Sequence, residues 1–419
     1  MTMSGAKRVK VVVLGGSSLS TPLLFEALAR HEPQAAYDIV LVGRDPERLE
    51  LVHRVSQELL AQFSTVDIQP SFTGNVELAL EGADFCLNQI RPGGLEGRAF
   101  DESFPRQFGI PGEETLGPGG FSNARRSLPA VLDYCRLMEK IAPDALLLNL
   151  TNPCSLVQYA VRRYTRVNNI IGLCELPIVI MERVASLLKL PLTELEFDLG
   201  GMNHFSWITA VRHAGRDRLA EVLARVEQLP KLGVDPELVR AIGAIPSPFM
   251  RFYFHPDRVL EETAGKPVRA KELMATGDEM LADFRHWRPG TGQPPATLRS
   301  RGAVWFEKIV APVLIAFAEG RKGVFPLNVE NRGALPYLPD RAIVEMLIPV
   351  ENGQLHTPRH VELPHDVEAM LHRHCAFEML AAEGIVEQDR AKAARALLSE
   401  SLVKSFDQAQ QILNQVFEK

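Results

Sequence analysis

Apolar residues in the first two hundred positions come in short dense runs separated by stretches with helical spacing. Val9–Leu14 (VKVVVL) is a nearly continuous β-branched run, the pattern of a strand covered on both faces. Gly15–Ser18 then turns the chain into Pro22–Arg30, whose apolar positions predict a helix. Ile39–Val42 predicts a second strand. Asp45 followed by Pro46 reads as the N-cap and first position of a helix running to about Gln62. Phe85–Ile90 and Ala145–Leu150 predict further strands with a long helix from about Asn123 to Ile141 between them, and Ile170–Cys174 and Phe197–Leu199 continue the series. Strands alternating with helices predict βαβ units, and so an α/β fold with a parallel, doubly wound sheet of Rossmann type.

The second half has a different texture. Helical patterns cover Arg216 to Ile242 and Lys266 to Phe284, and the Pro/Gly-rich stretch Trp287–Ala296 interrupts them. Arg321–Pro349 is strand-like with turns at Asn331–Gly333, and a charged amphipathic helix is expected from Glu387 to Phe417. The shift near residue 172 divides the chain into a Rossmann domain over 1–172 and an α+β domain over 173–419 that completes the site and carries oligomerisation.

Composition narrows the function classes. The 419 residues carry a formal net charge of −6, with no basic tail of the kind that binds nucleic acid. No run of about 18 apolar residues predicts a membrane span. Met1 to Lys10 leads directly into the first strand, without the apolar stretch of a secretory signal. Five scattered cysteines (Cys86, Cys135, Cys154, Cys174, Cys375) form no disulfide framework and fit a reducing compartment. The expectation is a cytoplasmic enzyme acting on a small molecule.

Four segments carry candidate chemistry. Gly15, Gly16, Ser17 and Ser18 lie between a buried strand and a helix, where small residues let the backbone approach a pyrophosphate; the alternative is an ordinary tight strand–helix turn. At the end of the second strand Gly43-Arg44 stands where an NAD site usually carries a carboxylate, so either Arg44 accommodates the 2′-phosphate of NADP or it is simply solvated. Cys174 in Gly172–Pro177 and His204 in Gly200–Trp207 each adjoin a strand end; a thiolate and an imidazole can hold a borderline divalent metal, though two such residues alone also fit a buried core. The glycine-rich segments Gly93–Arg98 and Gly112–Gly120 read as ligand-contacting loops or as mobile surface.

In their order along the chain, GGSSLSTP (15–22), RPGGLEGRAFDE (91–102), GEETLGPGGFSNARRSLP (112–129), LNLTNP (148–153), GLCELP (172–177), GGMNHFSW (200–207) and NVENRGALPYLPDRAIVEM (328–346) resemble the family 4 glycoside hydrolases. The GPGGF segment and the C-x-x-P-I form are most similar to the 6-phospho-β-glucosidase branch of those NAD- and metal-dependent enzymes, exceptions to two-carboxylate glycosidase chemistry. The resemblance implies a lactate/malate-dehydrogenase-like fold and a homodimer or homotetramer. It also implies NAD (or NADP) and a divalent metal, Mn²⁺ foremost, held by Cys174 and His204. The implied reaction oxidises sugar C3, removes the C2 proton, eliminates the C1 substituent, adds water and returns the hydride. Asn152 and Asn203 match positions that hydrogen-bond the sugar, and Arg98 and Arg269 are candidates for a substrate phosphate.

The sequence also departs from the family pattern. Ser17 replaces the third glycine of the first turn, and Glu175 follows the metal cysteine where members carry Asn or Asp. Glu175 is therefore a candidate to protonate the leaving oxygen. In Ile245–Phe254 phenylalanines stand at 249 and 252 where members carry tyrosine, leaving Tyr253 as the expected C2 base, its phenol acidified by the charge of the bound metal and cofactor, with Glu114 or Glu175 next in line. Arg301-Gly-Ala-Val-Trp305 replaces the family's R-G-G-A-Y. An NAD(P)-dependent 2-hydroxy-acid dehydrogenase of the lactate/malate type and a non-catalytic sugar-nucleotide sensor are the alternatives.

Overall fold

Residues 8–418 are described in a computed structural model. Among them, six parallel strands, β1 (Val9–Leu14), β2 (Tyr37–Val42), β3 (Ile68–Thr73), β4 (Phe85–Asn88), β5 (Leu146–Asn149) and β6 (Ile170–Leu173), lie side by side in the order 3-2-1-4-5-6. This is the Rossmann order, with its switch point between β1 and β4. The β1 sequence shows why it is central. Val11 and Val13 pack into one apolar cluster and Val12 and Leu14 into another on the opposite face, because successive strand side chains point to opposite sides. Helices α1 (Pro22–Arg30), α2 (Pro46–Leu60), α3 (Val76–Leu80), α4 (Gly94–Ser103), α5 (Gly117–Ile141), α6 (Cys154–Tyr164) and α7 (Leu176–Leu188) fill the crossovers. The Asp45 carboxylate accepts from Arg48 N at the start of α2, as an N-cap does.

Several expectations are corrected. The Phe197–Leu199 segment does not extend the parallel series. It lies in β7 (Leu195–Met202), which pairs antiparallel with β8 (Phe205–His213) through the two-residue turn Asn203–His204, a connection far too short for a parallel crossover. With β9 (Arg216–Asp217) and β10 (Ile245–Pro246) these strands form a separate sheet. The strand-like region 321–349 resolves into β11 (Gly323–Glu330) and β12 (Ile343–Glu351). Together with β13 (Gln354–Leu355) they run antiparallel and extend the first sheet beyond β6, so the second half of the chain contributes three strands to the sheet of the first. β3 gave no signal because it is an edge strand, mostly solvated and interrupted by Pro70.

The expected C-terminal helix is two, Arg390–Ser399 and Phe406–Phe417, each started by its own cap, Asp389 and Ser405. The pattern from Arg216 to Ile242 breaks into β9 and short helices at Leu219–Ala224 and Pro236–Ile242. α5 begins at Gly117 rather than Asn123, so the glycine-rich 112–120 segment is not a loop open to ligand: a Cβ on Gly119 would stand 2.0 Å from the Glu113 carbonyl oxygen, and one on Gly120 2.2 Å from that of Thr115. These glycines serve close packing. The leader expectation for Met1 to Lys10 falls largely on residues 1–7, outside the described residues. Among the described residues no helix is long and apolar enough to cross a membrane.

Candidate active site

The carboxyl edge of the parallel sheet gathers most of the candidate residues. At the switch point Gly15 adopts φ +83°, and a Cβ there would stand 3.0 Å from the Gln89 carbonyl oxygen at the end of β4. A Cβ on Gly16 would stand 2.8 Å from Leu41 Cβ in β2. The turn is thus wedged between two strand ends, and only a chain without side chains fits this cradle. Gln89 Nε2 donates to the Gly15 carbonyl and to Thr21 Oγ1, bracing it from β4. Arg44 is exposed just beyond β2 on the same edge.

Cys174 follows β6 on that edge, three strand spacings from the turn, about 14 Å. His204 reaches it from the β7–β8 hairpin, and Cys174 Sγ stands 3.4 Å from His204 Nε2. The hairpin is bent to bring it there. His204 has φ +127°, and its N–H bonds the Met202 carbonyl at 2.6 Å. A side-chain-bearing residue in that region costs about 1–3 kcal/mol and is retained where the surroundings over-determine it. Burial pulls the His204 imidazole down to about 4, leaving it neutral; burial, then Glu345 and Glu175, push the Cys174 thiol well up.

The pair passes a fit test for a divalent cation. Sulfur and imidazole ligands lie about 2.3 and 2.0–2.1 Å from a tetrahedral metal, which sets the two donors about 3.5–3.6 Å apart, close to the separation found here. Two acidic side chains adjoin the pair, yet among the described residues no group of three or more His, Cys, Asp or Glu is disposed to enclose a metal. Asn203 Oδ1, one residue from His204, is buried and without a hydrogen-bond partner among the described residues.

Glu175 directly follows Cys174 as the N-cap of α7, half-buried, its carboxyl pushed up by burial and so disposed to keep its proton. Asn152 lies beyond β5, and its carbonyl accepts from Asn123 Nδ2 at 3.1 Å. Below it the Asn88 and Asn149 side chains, opposite one another on β4 and β5, are joined at 2.9 Å.

Arg98 meets a denser charge cluster than its motif suggested. Its Nε donates to Glu102 Oε1 at 2.6 Å, and its Nη1 lies 2.7 Å from Glu114 Oε1. Arg91 also bonds Glu114. Arg301 faces the same group: burial, then Arg91 and Arg98, pull its guanidinium down to about 10, with Glu114 opposing. Three guanidiniums gather around Glu102 and Glu114, with Glu113 also acting on Arg98, and guanidinium forks suit an anion. Arg91 and Arg301 were not chosen from sequence, although Arg91 lies in a segment that carried the resemblance and Arg301 in one that departs from the family pattern. Arg269 is instead paired with Glu272 on the exposed start of the helix Arg269–His286, at the rim of this cluster.

Two catalytic expectations are corrected. Glu114 is held in ion pairs by Arg91 and Arg98, and these partners keep its carboxyl below the usual range despite burial, which makes it a weak base. Tyr253 does not face the Cys174–His204 pair with a free hydroxyl. Its OH donates to Glu400 Oε2 at 3.3 Å and its ring stands edge-on to Phe205 at 4.8 Å. Burial, then Glu400, push the phenol well above its ordinary value. The ring beside His204 is that of Phe249.

Comparison with known proteins follows from this geometry. The model of the family 4 glycosyl hydrolases matches residues 10–190, and that of the family's C-terminal domain matches residues 199–403. The chain is 27% identical over 415 residues to the 6-phospho-beta-glucosidase BglT of Thermotoga maritima, spanning 98% of both chains. It is also 27% identical over 434 residues to a 6-phospho-alpha-glucosidase of Leptotrichia buccalis, again spanning 98% of both. A crystal structure of the Thermotoga maritima enzyme with manganese, NAD⁺ and glucose-6-phosphate superposes with a TM-score of 0.88 at 25% identity, covering 98% of each chain. A lactate dehydrogenase of Eimeria maxima superposes with a TM-score of 0.53 at 13% identity, covering 97% of this chain and 99% of the dehydrogenase, a likeness of fold alone.

Proposed function

This chain belongs to glycosyl hydrolase family 4, and we infer that it cleaves the O-glycosidic bond of 6-phosphoglycosides, 6-phospho-β-glucosides in the first place, with NAD and a divalent metal such as Mn²⁺. The observation that carries the reading is the 3.4 Å approach of Cys174 Sγ to His204 Nε2 on the same sheet edge as the glycine cradle.

When bound, NAD takes up and returns a hydride at sugar C3 while the metal withdraws electron density from the oxygen on that carbon, which acidifies the C2 proton. The chain's own residues hold these groups, orient the sugar and protonate the leaving oxygen. Cys174 and His204 hold the metal, and the Gly15–Ser18 turn lets backbone approach the pyrophosphate. Glu175, its carboxyl pushed up by burial, is the proton donor to the leaving oxygen. Asn152 and Asn203 orient sugar hydroxyls. Arg91, Arg98 and Arg301 take the 6-phosphate, where guanidinium forks match phosphate oxygens, with Arg269 at the rim. Arg44 lies where a 2′-phosphate would be met, so NADP is tested beside NAD. Both β- and α-named relatives match at equal identity, and the β preference rests on the resemblance of the GPGGF and C-x-x-P-I segments.

The test is turnover of nitrophenyl glycosides and their 6-phosphates, in both anomers, with cofactor and Mn²⁺ varied. Cleavage that needs both, without net NADH, is expected. Stoichiometric NADH would overturn the hydrolytic reading in favour of a dehydrogenase. Cys174→Ser is expected to fold yet lose metal and turnover together, and retained metal-dependent turnover would remove Cys174 from its role. Light scattering checks the homodimer or homotetramer.

A further inference from the structure

Glu345 is a buried carboxylate with no role in the chemistry above, 1% exposed on β12 opposite Asn328 of β11. Burying such a group is unfavourable unless its acceptor capacity is used. Here three donors from different elements converge on it. Asn203 Nδ2 reaches Oε1 at 3.2 Å, Asn328 Nδ2 reaches Oε1 at 3.3 Å, and Ser206 Oγ reaches Oε2 at 2.8 Å. Two of the three, Asn203 and Ser206, flank His204 in the hairpin turn.

A carboxamide has a donor end and an acceptor end of nearly equal size, so packing alone does not choose between its two orientations. Oε1 of Glu345, met by two carboxamide nitrogens, accepts whether or not the carboxyl carries a proton on Oε2, and it therefore chooses. With Nδ2 taken by Glu345, Asn203 Oδ1 is left buried and without a hydrogen-bond partner, one residue from His204. A buried carbonyl oxygen without a donor is costly in itself and marks a place where a ligand donor belongs. We propose that Glu345 is a positioning residue that fixes the Asn203 carboxamide, so that Oδ1 is presented as an acceptor to a hydroxyl of the sugar bound at the Cys174–His204 pair. The proposal rests on the glycosidase reading for the identity of the ligand, and on geometry alone for the orientation. Through Ser206 the same carboxylate anchors the far side of the turn, so one side chain sets both the hairpin and its polar end.

Glu345→Gln keeps the size but supplies an amide donor that lets the Asn203 carboxamide reverse. Glucose 6-phosphate binding is measured by calorimetry on protein loaded with NAD and Mn²⁺. It is expected to weaken at least about tenfold in E345Q, with NAD affinity within about twofold of the parent. In an Asn203→Ala background, E345Q is expected to add less than about twofold. Binding unchanged in E345Q, or the same loss in both backgrounds, overturns the proposal. Asn203→Asp removes the donor without touching Glu345 and is expected to weaken the same binding at least about tenfold; unaffected binding there also overturns it. The orientation is also read without ligand, as exchange of the Asn203 Nδ2 protons by NMR of asparagine-labelled protein. Protection in the parent and its loss in E345Q support the proposal, and equal exchange overturns it. Protection that behaves as expected in a protein that does not bind glucose 6-phosphate supports the positioning and counts against the phosphosugar reading alone.

Discussion

The ring of Phe249 lies against the imidazole of His204, with centroids 4.3 Å apart and planes 20° from parallel. This contact covers one face of the residue most constrained in the site, whose backbone sits at φ +127°. It also puts a side chain with no titratable group directly against that imidazole. Phe249→Tyr keeps the stack and adds a phenol there. The expected outcome is metal affinity within about threefold of the parent and at least about a hundredfold faster exchange of solvent deuterium into sugar C2, the lower end for a positioned base. Unchanged exchange would show that a phenol at this position meets no proton.

Tyr253→Phe is expected to be quiet in catalysis. The hydroxyl serves Glu400, and its pKa is raised, so C2 exchange should stay within about twofold of the parent. Loss of one hydrogen bond to a buried carboxyl should lower stability by about 1 kcal/mol, measured by chemical unfolding. A collapse of C2 exchange with folding intact would restore Tyr253 as the base.

Arg301→Met tests the anion site. Arg91 and Arg98 already have Glu114 and Glu102 as partners, whereas at Arg301 the pull of Glu114 works against three like charges, Arg91, Arg98 and Arg269. KM for a 6-phosphoglycoside should rise about 10- to 100-fold, with the unphosphorylated glycoside changed less than about twofold. Equal effects on the two substrates would mean that the cluster is structural.

Glu113 gives a pH prediction. Burial and then Glu114 raise its carboxyl from 4.5 to about 7 while it accepts from Thr115 N and Leu116 N at the start of α5. A folded pKa above the unfolded one means that the folded state binds the extra proton. This contribution is fully present below about 4.5 and is lost as pH rises through about 7. Glu113→Gln should therefore flatten the fall in Tm between these limits, as read by calorimetry at several pH values. The flattening should be partial, since Glu345 is raised to about 7 and Asp101 to about 6, each chiefly by burial. A variant whose profile matches the parent's would remove Glu113 from the titration.

Gly16→Ala separates the two halves of the site. Its Cβ would meet Leu41 Cβ at 2.8 Å and Cα at 2.9 Å, in the middle of the sheet where nothing yields easily. NAD affinity should fall at least about tenfold while Mn²⁺ binding at Cys174 and His204, three strands away, stays within about twofold. Joint loss of both would indicate general unfolding and is checked by Tm.

The sequence alone determined the parallel half of the fold and the edge on which chemistry sits. Buried strands such as VKVVVL and caps such as Asp45-Pro46 are local signals, each readable within a few residues. The glycine turn and the Cys174 and His204 segments were legible for the same reason, as short runs next to strand ends. What only the tertiary structure decided depends on partners distant in sequence. β11, β12 and β13 extend a sheet begun three hundred residues earlier, and neither half of a ladder announces which edge it will join. Arg91 and Arg301 join one cluster across 210 positions, and Glu345 meets Asn203 across 142. Tyr253 carries the clearest lesson. As a residue type it suited the base, but its hydroxyl was taken by Glu400, 147 positions on, and burial raised its pKa. A side chain's chemistry is set by desolvation and by neighbouring charge, and both come from the packed surroundings rather than from the residue itself.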